Sequence, residues 1–200
     1  MSAHSLIVAP LARPLSDDKR KAILISAAES VAVYGMGAPT AKIALGAGIA
    51  EGTLFTYFPT KEALFNELYL TLKHEVAATM MAGYPTTGPL RVRWRHVWDR
   101  YIDWGAANPA KRKAIRQLTV SGRIGEPFKT SSDEAFRDIY ALMDESVTTG
   151  AMTKQPLAFV AAIFEALAET TMEFVAREPR EHSRYGSAGF EAFWGGAFNI

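Results

Sequence analysis

The chain has 200 residues, 48% of them hydrophobic and 22% charged, which allows one or two packed domains and excludes a disordered chain. A formal net charge of +1 means that no overall field announces an anionic polymer as partner, so any such partner must be met by locally placed charge. There is no cysteine, which excludes disulfides and thiolate metal sites and fits a reducing cytoplasm, and no apolar run approaches the roughly 18 residues of a membrane helix.

Residues 1–15 read as a flexible N-terminal arm; their short apolar patch lacks a basic flank and is interrupted by Pro10, which makes a poor signal peptide. Ser16 or Asp17 can cap a first helix, whose Ile23, Ala27, Val31 and Tyr34 recur at helical spacing until Gly35 and Gly37. Thr40 starts a short second helix that ends near Gly48, and a third runs from about Ala50 to Phe58, where Pro59 stops it. Thr60 caps a fourth, with Leu64, Leu68, Leu72 and Val76 on one face, up to Gly83. A tryptophan-rich fifth helix reaches about Ala107. Asn108 followed by Pro109, a cap and then proline at the first helical position, opens a sixth that ends near Gly122. Residues 123–131 read as loop. Two long helices over about 132–149 and 156–177, separated by Gly150 and Pro156, and a shorter one over about 187–199 complete the chain. With no strand pattern and no repeat, the expectation is an all-α fold of about nine helices.

The informative stretch is Thr40 to Pro59. Two short helices that cross steeply need small residues and a tight turn between them. Ala44 is small where the second helix meets the first, and Gly48 suits the left-handed backbone of a helix end. Ile43, Ile49, Leu54 and Phe58 point into one core, while Gly52 and Thr53 keep the outer face of the third helix slim enough for a DNA major groove about 12 Å wide. An ordinary helical hairpin shares this spacing. The string Ile43-Ala44, Ala47-Gly48-Ile49, Gly52-Thr53-Leu54-Phe55, Tyr57-Phe58, Lys61-Glu62 and Leu64-Phe65, however, closely resembles without a gap the helix-turn-helix signature of TetR-family regulators.

That resemblance implies an N-terminal three-helix DNA-binding domain at 16–60 and a helical effector-binding and dimerisation domain at 61–200. It also implies, position by position, that Thr40 contacts phosphate or base at the start of the second helix and that Lys42 lies near the DNA backbone. Ala50, Glu51 and Thr53 would open the recognition helix, Thr56 and Tyr57 would face the groove or phosphates, and Lys61 would touch phosphate. Two positions depart from the family pattern: Ala50 replaces the usual serine and Phe55 the usual tyrosine, so each loses a hydroxyl. Glu51 would accept from a cytosine amino group if it reaches a base. The cluster Lys19, Arg20 and Lys21 sits unfavourably at a helix start unless it meets an anion, and a solvated cluster is the alternative.

In the second half, the helix over about 156–177 is apolar on more than one face, so it must bury two sides. Phe159, Ile163 and Phe174, with Phe190 and Trp194 of the last helix, resemble the two C-terminal helices through which TetR-type proteins dimerise; the alternative is a central core helix. Trp98, Tyr101, Phe136, Tyr140 and Phe164 are the aromatics that the resemblance would place around a small-molecule effector, although aromatic stripes are also plain core. Glu165, Glu169 and Glu173 share a face and could hold a cation, but read more simply as a solvated stripe or dimer-rim salt bridges, because no histidine follows at di-iron spacing. The basic sets Arg91, Arg93, Arg95 and Lys111, Arg112, Lys113, Arg116 read as solvated faces, with a turn towards the DNA as the alternative, and Arg116, Gln117, Asp144 and Glu165 are polar residues that could orient a ligand, unranked by the sequence. No Gly-x-Ser-x-Gly, Walker string or cysteine nucleophile is present, so no enzyme, metal or cofactor is expected. The expectation is a repressor released from a palindromic operator by a small, largely apolar effector. An activator of the same fold, or a helical ligand-binding or enzymatic protein that retains the head, is the alternative.

Overall fold

Helix boundaries follow from local chemistry throughout the computed structural model, which describes residues 15–147 and 152–198. All but Leu15 of the expected arm, and the separator Gly150, lie outside those residues. Helix α1 (Asp17–Tyr34) begins where the Ser16 hydroxyl accepts the Lys19 N–H, with Asp17 and Asp18 at the positive end of the helix dipole. It ends at Gly35, with φ 56°, and a 3-10 turn over Gly35–Gly37 leads to α2 (Thr40–Gly46) and α3 (Glu51–Tyr57). Between these two helices Gly48 has φ 67° and no neighbour that a Cβ would meet, so glycine is needed there for its backbone alone. Its N–H reaches Leu45 O and the Ile49 N–H reaches Ala44 O, both at 3.0 Å, which is a complete Schellman closure of α2.

The Thr60 hydroxyl accepts the Ala63 N–H at 3.0 Å and starts α4 (Lys61–Met81). Leu64, Phe65, Leu68 and Leu72 of α4 share one core with Ile23, Ala27, Val31, Ile43 and Leu54. The remaining helices are α5 (Leu90–Ala107), α6 (Pro109–Val120), α7 (Glu126–Ala135), α8 (Arg137–Ser146), α9 (Leu157–Arg177) and α10 (His182–Phe198). They enclose a second core built on aromatic rings: Trp94, Trp98, Phe164, Phe190, Phe193 and Phe198 are all buried. The buried indoles are satisfied, Trp94 Nε1 donating to Ser146 Oγ at 2.8 Å and Trp98 Nε1 to Gly186 O at 2.9 Å. Helix α6 joins the two cores, because it packs along α1, buries Ala114 and Leu118 in the first core, and sets Ile115 against both.

Among the described residues there are ten α-helices and no strand, an all-α fold close to the expected count. The extra helix arises in two places. Within the stretch expected as loop, α7 starts at Glu126, where extended Gly125 precedes a proline in the first turn. Of α7 only Ser132 is fully buried, so no apolar periodicity marked it. The single helix expected over 132–149 is broken at Phe136, with φ −93° and ψ 5°. Helix α10 begins at His182 rather than near 187, after a 3-10 turn over Pro179–Glu181. No helix among the described residues is long and apolar enough to cross a membrane.

Candidate functional site

Two regions carry chemistry, an outer face of the head and a cavity in the body. On the head, α3 buries Leu54 and leaves Glu51, Gly52, Phe55 and Thr56 exposed. Its approach is fixed by a contact between α1 and α2. Ser26 is buried and donates its hydroxyl to Ile43 O at 2.9 Å, while Gly46 comes so close that a Cβ there would lie 2.3 Å from Ser26 Oγ. The motif did not single out Ser26 or Gly46; a serine on the buried side of an otherwise apolar α1 was the available signal.

Of the head residues named from sequence, Thr40 and Glu51 bond to each other, whereas Lys42, Thr56 and Tyr57 bond to residues outside that set. Thr40 Oγ1 donates to Glu51 Oε1 at 2.6 Å, linking the first residues of α2 and α3. Lys42 is exposed, donates to the Tyr34 hydroxyl at 2.6 Å and lies over that ring. Ala50 is the exposed N-cap of α3 and supplies no side-chain bond. Thr53 is half-buried, and Thr56 donates to Gly52 O at 3.3 Å. The Tyr57 hydroxyl accepts the Ser16 N–H at 3.0 Å, and Lys61 Nζ sits 5.4 Å from the centre of the Phe65 ring. Of the basic cluster on α1, Arg20 is held by Glu67 at 2.7 Å and lies over Phe58, whereas Lys19 and Lys21 are exposed. The face therefore offers a slim helix, a hydroxyl–carboxylate pair at its start and lysines around it.

The cavity, about 580 Å³, lies between α4, α5, α6, α8 and α9. That volume is within the roughly 300–1,000 Å³ of small-molecule sites. Tyr101, Phe136, Tyr140 and Phe164 line it, as do Val76, Met80, Trp104 and Ile115. Trp98 is not in the lining; its indole is bound to Gly186 O and its ring is packed against Phe164, Phe190 and Phe193.

Of the polar residues offered from sequence to orient a ligand, Arg116 and Glu165 line the cavity and Gln117 and Asp144 do not, while Arg112 and Lys73 were missed. Arg112, read as part of a solvated face, is only 7% exposed and faces Glu169 Oε1 at 3.1 Å, with Arg116 at 3.7 Å from the same oxygen. Arg112 Nε has no partner. Glu165, Glu169 and Glu173, read as a solvated or rim stripe, all line the cavity. Lys73 lies in its wall with its Nζ 4.2 Å from the centre of the Phe136 ring. Burial lowers the Lys73 pKa against the opposing pull of Glu165 and Asp133. Burial first, and then Glu165 and Glu169, push the Tyr101 hydroxyl far above its ordinary value, and Tyr140 is raised mainly by burial, so both phenols hold their protons and can donate. A signal for Arg112 was present: Arg112, Ile115 and Thr119 follow one another at helical spacing, so a guanidinium had to share the face of an apolar residue.

On α9 and α10, Phe159 and Phe174 are 49% and 41% exposed, unusual for rings on well-packed helices. Ile163 and Trp194 are half-buried. Phe190 is buried within its own chain against Trp98 and Trp194, which leaves it nothing to offer a second copy.

Comparison with known proteins adds a family relation. Residues 23–68 match the model of bacterial regulatory proteins of the tetR family. A curated HTH-type transcriptional regulator, YhgD of Bacillus subtilis (strain 168), is 38% identical over 63 residues, which is 31% of this chain and 33% of that relative. The match thus spans about a third of the length of that relative. Among solved structures, a protein of Shewanella sp. PV-4 classed with the tetR family transcription regulators superposes with a TM-score of 0.76 at 27% identity, covering 88% of this chain and 96% of that one. The TetR-like transcriptional regulator LfrR from Mycobacterium smegmatis, in complex with proflavine, superposes with a TM-score of 0.66 at 20% identity, covering 88% and 96%.

Proposed function

Since this chain belongs to the TetR family of bacterial regulatory proteins, we propose that it is a cytoplasmic, homodimeric DNA-binding repressor that leaves a palindromic operator when a small, largely apolar effector fills the cavity. The observation that carries this reading is the double membership of α4 and α6. Each buries side chains in the core that supports α3, and each contributes to the cavity wall, Val76 and Met80 from α4 and Arg112 and Ile115 from α6. A molecule in the cavity thus presses on the two helices that set where the head points.

In this reading residues 16–60 read DNA and 61–200 bind the effector and a second copy, with 1–15 as an arm. The first turn of α3, with Glu51 and Thr53, meets base edges, Thr40 orients Glu51, and Thr56, Tyr57, Lys42 and Lys61 meet groove or phosphates. Two heads held about 34–36 Å apart would enter successive major grooves on one side of the duplex. Phe159 and Phe174 are the rings offered to the second copy. LfrR holds proflavine in the same fold, which supports a small molecule as occupant here without saying which one. Effector binding favours a head spacing that no longer fits, and a coupling of about 1–3 kcal/mol weakens operator binding roughly 5–150-fold.

Enrichment of random-sequence duplexes on the full-length protein tests the DNA-reading part. An inverted repeat with half-sites about one helical turn apart is expected, with affinity falling steeply as salt rises. Recovery of no preferred sequence would remove the basis for the proposal.

A further inference from the structure

The cavity is unevenly furnished. Its apolar walls combine the rings of Phe136, Phe164 and Trp104 with aliphatic side chains such as Val76, Met80 and Ile139, so it suits an apolar body with a flat face for the rings to stack on. Its polar groups include donors with no protein acceptor, one of them fully buried. Arg112 is more than nine-tenths buried, and its Nη1 is committed to the carboxylate and the backbone oxygen of Glu169, while its Nε has no partner. Lys73 is half-buried, its Nζ rests on the Phe136 ring, and among the described residues it forms no ion pair, although the charges of Glu165 and Asp133 act on it. Tyr101 and Tyr140 add phenolic hydroxyls that keep their protons.

The acidic residues of the wall do not balance these donors. Glu169 is shared by Arg112 and Arg116, and Glu173 faces Arg177 at 3.9 Å. Glu165 is exposed, so water can solvate it. A buried donor without an acceptor is a standing cost that a bound acceptor removes, and a charged donor rewards an anionic acceptor most.

We propose that the effector is a carboxylate on a flat apolar body, its carboxylate received by the unmatched donors Arg112 Nε and Lys73 Nζ and its body held between the aromatic walls. This rests on the effector-responsive reading above for its regulatory meaning, but not for the binding itself. A neutral amide of the same shape offers one uncharged carbonyl oxygen, a weaker match for these donors than a carboxylate. A cationic molecule brings a like charge beside Lys73 and meets Glu169 and Glu173 already facing arginines and Glu165 open to water.

The test is calorimetric titration of the full-length protein with three probes that share a naphthyl body: 1-naphthylacetate, 1-naphthylacetamide and 2-(1-naphthyl)ethylammonium. The carboxylate should bind about tenfold or more tighter than either of the others, the size of difference expected of a charge-assisted hydrogen bond in a shielded site. Arg112→Lys keeps a positive charge for Glu169 while deleting Nε, and Lys73→Met deletes the ammonium. Loss of the carboxylate preference in either variant, with amide binding retained, supports the proposal and identifies the seat; retained amide binding also shows that the cavity has folded.

Equal affinity for acid and amide, tighter binding of the ammonium, binding of none of the three, or a preference unchanged in both variants would overturn the proposal. Operator affinity measured with and without the carboxylate separates this result from the regulatory reading. Carboxylate binding that leaves operator affinity unchanged would overturn release by effector and leave the present assignment standing. Failure of all three probes would leave DNA reading untouched.

Discussion

Ser26 and Gly46 form a lock between α1 and α2 that sets how α3 is presented. The Ser26 hydroxyl bonds to Ile43 O, which also accepts the Ala47 N–H at 3.0 Å. Ser26→Ala should therefore cost only about 1 kcal/mol, because the carbonyl keeps one partner. Gly46→Ala would gain about 1 kcal/mol of helix propensity, but its methyl would displace the Ser26 hydroxyl. Urea unfolding of the two single variants and the double variant should show strong coupling, with the alanine at 46 stabilising only where Ser26 has been removed. Additive effects would mean that the lock is not there.

Lys73 gives the opposite kind of prediction. Its pKa in the folded chain is below the ordinary lysine value because burial disfavours its charge. The unfolded chain therefore binds more protons over the interval between the folded and ordinary values, so this residue costs stability that is fully present below the folded pKa and vanishes as pH rises through the ordinary one. Lys73→Met should melt higher than the parent at neutral pH, with the gap closing towards alkaline pH. A side chain kept in the cavity wall at a cost in stability fits a binding role there.

At the scale of elements, α6 is the piece that turns two cores into one mechanism. Leu118 is fully buried among head residues although it belongs to a helix of the cavity. Leu118→Ala should cost about 2–5 kcal/mol in denaturant unfolding, as a core truncation does, and should also loosen operator binding by freeing α1. A loss under 1 kcal/mol would show that α6 merely lies beside the head. Elements whose apolar residues recur at helical spacing were legible in the sequence: α1 from Ile23, Ala27 and Val31, and α4 from Leu64, Leu68 and Leu72. The stop at Gly48 was legible too, because only the backbone of glycine meets that turn cheaply.

Helix α7 was hidden because Ser132 is its only fully buried residue, so burial left no periodic trace. Of the cavity, the aromatics Tyr101, Phe136, Tyr140 and Phe164 could be named, since large rings must be buried somewhere. Which side of a buried ring faces a void and which faces core depends on neighbouring helices, and Trp98 turns to core for that reason. Arg112, Glu169 and Glu173 were hidden by a different cause. Charged residues are read as solvated unless the structure supplies the partner, as Glu169 does for Arg112 and Arg116.

At the scale of the whole molecule, the proposed dimer would double the few contacts that one head offers. Phe174 is exposed on α9 beside Tyr185 of α10, with ring centres 5.4 Å apart. Phe174→Glu should shift a dimer towards monomer in sedimentation and weaken operator binding, because charge at the centre of an apolar interface is costly. A variant that still sediments as the parent does would place the contact elsewhere.

The most direct measurement of all is hydroxyl-radical footprinting of the enriched duplex bound by the full-length protein, read on both strands. Two protected patches on one face of the duplex, one helical turn apart and related by the symmetry of the repeat, are predicted. A single patch, or protection spread evenly along the duplex, would contradict a slim helix entering two major grooves at once.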